Sequence, residues 1–129
     1  MPRFKDFVPQ GVIPAVLLPF HDDLSIDETS YRSHLRDVVG VKGISAITTN
    51  AHSSEVASCT LEEQRRVLQI TMDEVGDQIP VIAGVYCEGS LEGQRIAKMA
   101  TDGGASALLV FPSGIDRKST RLNSSHQII

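Results

Sequence analysis

The residues richest in chemistry lie together in one short polar stretch, Ala51-His52-Ser53-Ser54-Glu55. An imidazole changes charge near neutral pH and so moves protons there. Serine hydroxyls both donate and accept hydrogen bonds. The stretch sits in a polar loop, 49–58, after a short, partly β-branched run at 44–48. Parallel α/β proteins place their chemistry at the carboxyl ends of strands, which makes 48–55 the candidate site loop. His52 reads either as a proton-handling group or as a surface loop histidine. Ser53 reads either as a ligand-binding hydroxyl or as a turn serine bonding its own backbone. Ser54 fits as a small residue in the turn, and Glu55 as a brace for the loop. Tyr86 follows a later strand and reads as a packing residue, with a place facing the site as the alternative. His21 and Asp22 belong to a polar turn rather than a metal pair, and His34 reads as an exposed helix residue.

The elements that must hold this loop alternate regularly. The run 12–18, Val-Ile-Pro-Ala-Val-Leu-Leu, suits a strand buried on both faces. Pro14 lacks an N–H and favours an edge or early strand position. Ser25 and Glu28 have capping-box spacing, with Asp27 as a competing N-cap. Tyr31, Leu35 and Val38 then share one helical face. Residues 44–48 are the second strand. Thr60 and Glu63 form a capping box for a second helix with a stripe of Leu61, Leu68, Met72 and Val75. Glu62 and Arg66 are spaced to pair on its outside. Residues 81–85 are the third strand. Ser90 can cap a third helix whose Leu91, Ala97 and Ala100 face inward. Gly103 and Gly104 end it, and residues 107–111 are the fourth strand.

Three successive strand–helix units argue for a parallel sheet with right-handed crossovers. Two architectures fit the pattern: half of an α/β barrel, or a self-contained doubly wound small-molecule-binding domain. No G-x-G-x-x-G follows the first strand, so a dinucleotide loop is absent from that position. The net charge of −4 at pH 7 gives nucleic acid no basic patch to bind. No apolar run approaches the roughly 20 residues that span a bilayer. Cys59 and Cys87 lack metal-ligand spacing and read as reduced thiols of a cytoplasmic protein.

Four stretches in register resemble the pyruvate-dependent class I aldolases grouped as dihydrodipicolinate synthase and N-acetylneuraminate lyase. They are residues 11–20 (GVIPAVLLPF), 24–27 (LSID), 79–85 (IPVIAGV) and 103–110 (GGASALLV). The resemblance covers about 11–112 and implies the N-terminal half of a (β/α)8 TIM barrel, with about four parallel strands and three helices. It implies no metal or organic cofactor, a small 2-oxo acid such as pyruvate as substrate, and a homo-oligomeric (tetrameric) parent without nucleic-acid or membrane partners. Family members bind pyruvate as a Schiff base on a sixth-strand lysine, assisted by a fifth-strand tyrosine. Neither position falls within this chain. Lys5, Lys42, Lys98 and Lys118 match none of them. Residues 51–55 match the family's Gly-Thr-Thr-Gly-Glu loop, which holds the pyruvate carboxylate. By that match Ser53 and Ser54 are the candidate substrate-binding residues, Ser53 at the carboxylate-binding position and Ser54 in place of a glycine beside it, and His52 replaces a proton-relay threonine. The family's tyrosine pair after the fourth strand is missing beyond Phe111-Pro112.

Residues 11–113 are thus expected to form the partial barrel. Residues 114–129 show neither helical nor strand periodicity and are expected to be a disordered tail. From about Arg117 the string resembles translated sequencing adaptor, so this tail reads as non-native sequence.

Overall fold

The computed structural model describes residues 4–112 and 127–128. Its elements are α1 (Glu28–Val39), β1 (Ile47–Thr49), α2 (Leu61–Val75), β2 (Val81–Val85), α3 (Ser90–Asp102), β3 (Ala107–Val110) and β4 (Gln127–Ile128). β1, β2 and β3 pair in parallel in chain order, with Ile47 opposite Val81 and Ile82 opposite Ala107. β4 pairs antiparallel with β3. The rest of the expected tail, 114–126 and Ile129, lies outside the described residues.

The expected first strand, 12–18, forms only in part. It runs parallel to β1 and the residues just before it, through two isolated bridges, Val12 with Ile44 ahead of β1 and Ala15 with Thr48 within it. The register slips by one residue between them. Pro14 sits at the slip, where it has no N–H to donate to the ladder. Pairing resumes with the Thr48 N–H on the Pro14 carbonyl (2.9 Å) and the Val16 N–H on the Thr48 carbonyl (2.9 Å). The segment is also not buried on both faces: Val16 and Leu18 are buried, while Val12 and Leu17 are 60% and 59% exposed.

The helices begin where polar caps direct them. Asp27, not Ser25, caps α1 by accepting the Ser30 N–H at 3.0 Å. Ser25 instead bonds Asp23. The α2 capping box forms as the spacing predicts, with Thr60 and Glu63 bonded reciprocally. Leu68, Met72 and Val75 are buried as expected, joined by Val67 and Ile70. Arg66 does not pair with Glu62. It forms a two-pronged bond to Glu28 of α1 at 2.7 and 2.8 Å, and Glu62 pairs with Arg65. Ser90 is the first residue of α3, and Gly89 is its N-cap. Ile96, Met99 and Ala100 of α3 are buried, but Leu91 is 63% exposed. Leu91 lies in the first turn of α3, ahead of the buried stripe.

The helices cover one face of the sheet only. Residues from α1, α2 and α3 pack with Ile47, Val81, Ala83 and Val85 into one apolar cluster. The alternate strand positions form a second cluster, Ala46, Ile82 and Ala107 with Phe7, Ile13 and Leu109, which no helix among the described residues joins. A doubly wound sheet carries helices on both faces. A barrel carries them on the outside and fills its inside with strand side chains. The arrangement is that of half a (β/α)8 barrel, open where a closed barrel would continue.

Candidate active site

The loop after β1 is held by its own backbone and by buried polar bonds. Asn50 turns the chain in a left-handed conformation (φ 56°), and its Nδ2 donates to the Gln64 carbonyl of α2 at 3.1 Å. A short 3-10 turn, His52–Ser54, follows, and Glu55 is again left-handed (φ 57°). The turn commits the Ser54 and Val56 N–H groups to the Ala51 carbonyl and the Glu55 N–H to the His52 carbonyl. The backbone of β2 presses against this loop at Gly84. A Cβ there would lie 2.1 Å from the Asn50 carbonyl oxygen, so only glycine fits.

The loop side chains divide sharply by position. Ser54 is buried, and its hydroxyl donates to the Val16 carbonyl at 2.6 Å, tying the loop to the first extended segment. His52, Ser53 and Glu55 are exposed. Thr49, at the end of β1, points to the helical side. Its hydroxyl meets the buried Tyr31 hydroxyl at 3.0 Å, which also meets Thr71 at 2.8 Å. Burial raises the Tyr31 phenol above its ordinary value, and its two hydroxyl bonds only partly offset this.

The His52 ring is not free in solvent. It stacks on Phe111 with centroids 4.4 Å apart and planes at 25°. It also meets Tyr86 edge-on, at 5.3 Å and 77°. Tyr86 and Phe111 lie 6.3 Å apart, close to perpendicular. Each residue stands just past a parallel strand: His52 after β1, Tyr86 after β2, Phe111 after β3. From sequence alone Phe111 has no site role and Tyr86 reads mainly as a packing residue. The available signal was positional, since each aromatic directly follows an apolar run, at the end where barrels keep their sites.

Other candidate residues lie elsewhere. His21 is in a turn closed by its own N–H to the Ser25 carbonyl. His34 is half-buried rather than exposed, because its Nε2 accepts the Leu17 N–H at 3.0 Å. Cys59 and Cys87 are free thiols, and burial pushes both above the ordinary range, helped by neighbouring glutamates. Lys98 pairs with Asp102 on the outer face of α3. Among the described residues, no group of three or more His, Cys, Asp or Glu side chains could hold a metal ion. No helix among them is long and apolar enough to cross a membrane.

A family model described as the Dihydrodipicolinate synthetase family matches residues 8–118. The chain belongs to that family. A 4-hydroxy-tetrahydrodipicolinate synthase from Methanopyrus kandleri is 38% identical over 103 residues, covering 78% of this chain and 33% of that protein. A probable 5-dehydro-4-deoxyglucarate dehydratase 2 from Streptomyces avermitilis is 33% identical over 110 residues, covering 85% and 33%. Among solved structures, dihydrodipicolinate synthase from Aquifex aeolicus superposes with a TM-score of 0.73 at 26% identity, covering 78% of this chain and 34% of that one. The fold is also that of CdNal from Clostridium difficile in complex with mannosamine, with a TM-score of 0.78 at 24% identity, covering 90% and 41%. This dihydrodipicolinate synthetase family chain spans about a third of the length of the curated relatives it matches.

Proposed function

We propose that this chain carries the carboxylate-holding loop of a lyase or aldolase that binds pyruvate or another 2-oxo acid as a Schiff base. The observation that carries the reading is the exposed His52–Ser53 pair, held by a hydrogen-bonded 3-10 turn at the carboxyl end of a parallel strand. Ser53 offers its hydroxyl to the carboxylate, a charge-assisted bond of the stronger kind. His52 handles protons beside it. Ser54 contributes by holding the loop, with its hydroxyl on Val16. The parent protein forms or breaks a carbon–carbon or carbon–oxygen bond next to the bound 2-oxo acid, and acts as a cytoplasmic homo-oligomer, a tetramer by the family resemblance. The substrate imine forms on a lysine outside this chain. Lys98, paired on the outer surface of α3, is no substitute.

The test is chemical. The 129-residue chain is incubated with pyruvate, reduced with borohydride and weighed by mass spectrometry. No stoichiometric adduct is expected. A single pyruvyl adduct on one lysine would overturn the assignment of the imine to another part of the parent.

A further inference from the structure

We propose that Phe111 and Tyr86 are positioning residues for His52, clamping its imidazole at the rim of the sheet. The inference rests on reading residues 51–55 as the ligand loop. An exposed histidine on a surface loop ordinarily samples several rotamers. Here His52 is exposed, yet its ring meets two others from two different strands. The stack on Phe111 fixes the plane of the imidazole. The edge contact with Tyr86, at 77°, limits its rotation within that plane. Offset stacks and edge-to-face contacts are the favoured aromatic geometries, so both contacts attract.

The other end of the side chain is fixed independently. The His52 backbone begins the 3-10 turn, anchored by Ser54 to Val16 and by Asn50 to Gln64. A group that transfers protons works only when held near its productive geometry. The two contacts supply that hold to a ring that the loop alone would leave mobile. They also make the ends of β2 and β3 part of the machinery of the loop after β1. Phe111 is buried and Tyr86 half-buried, so the clamp is itself seated in the core.

The experiment is solution NMR of the 129-residue chain, reading the ring-proton resonances of His52 with exposed His21 as internal reference. The clamp predicts His52 ring protons shifted upfield by the Phe111 ring current. Phe111→Leu keeps an apolar side chain but removes the ring, and should move them toward the His21 position. Phe111→Tyr should restore the shift. With pyruvate added, the His52 response should fall severalfold in Phe111→Leu and return in Phe111→Tyr. Should Phe111→Leu fail to fold, Tyr86→Leu tests the same clamp from its half-buried side. Unmoved His52 resonances in a folded ringless variant would overturn the proposal, as would a pyruvate response that is present in the unmutated chain and equal in all variants. If pyruvate leaves His52 and Ser53 untouched in the unmutated chain, the ligand-loop reading fails. The ring shifts and their loss in Phe111→Leu then still decide the clamp.

Discussion

Ser53 and Ser54 are neighbours of the same type with different physical positions, and substitution should separate them. Ser54→Ala leaves the buried Val16 carbonyl without its donor, at a cost of about 1–3 kcal/mol. Ser53→Ala touches an exposed hydroxyl and should change stability by no more than about 0.5 kcal/mol. Thermal denaturation of both variants, followed by circular dichroism, makes the comparison, and equal losses would contradict the assigned burial. The sequence marked both serines as candidates because residue type is visible there and burial is not. Tyr31 was legible as core from its helical spacing, but its bonds to Thr49 and Thr71 join three separate elements and were not. The burial of Tyr31 predicts a pH dependence. Burial raises the folded phenol pKa above its unfolded value of about 10. The folded state therefore holds the proton more tightly, and its contribution is complete below pH about 10. Stability is lost as pH rises toward the folded value. Urea unfolding between neutral and alkaline pH should show this decline, and Tyr31→Phe, which cannot ionise, should flatten it.

At the scale of elements, local signals were readable and non-local ones were not. β2 lies where the apolar run 81–85 places it, and α2 starts where Thr60 and Glu63 form their box. The start of α2 is set by bonds between residues three apart. β2 is marked by its own continuous apolar composition, although its partners in β1 and β3 are distant in sequence. Removing the cap by Thr60→Ala should cost about 0.5–2 kcal/mol, measurable as a lower denaturation midpoint. The outer ion pairs show the opposite case. The spacing of Glu62 and Arg66 predicts a bond along one helix, yet Arg66 reaches across to Glu28 with both prongs. A planar guanidinium matches a carboxylate in that fork geometry, which a neighbour one turn away need not provide. The first extended segment failed as a strand for a comparable reason. Its composition is that of a buried strand, but Pro14 removes a ladder donor at the register slip. The aromatic group at the rim was hidden similarly, since His52, Tyr86 and Phe111 come together only when β1, β2 and β3 pair in register.

At the scale of the whole molecule, the one-sided sheet has a physical consequence for how the chain behaves in solution. Among the described residues, no strand pairs with the outer edge of the 12–18 segment, and Val12 and Leu17 are exposed along it. An extended apolar edge is a template for pairing with another chain. One edge amide is already occupied: the Leu17 N–H donates to His34 Nε2, so a helix side chain blunts the edge at that point. Sedimentation velocity over rising concentration should therefore show self-association of the 129-residue chain. Leu17→Lys places a charge on the edge and should suppress it, as lysine does on natural edge strands. His34→Ala frees the Leu17 amide and should strengthen it. Both effects follow from the same edge, so they must move in opposite directions. A chain that sediments as one species at every concentration, with neither variant changing it, would show that the open side of the half-barrel is not a pairing surface.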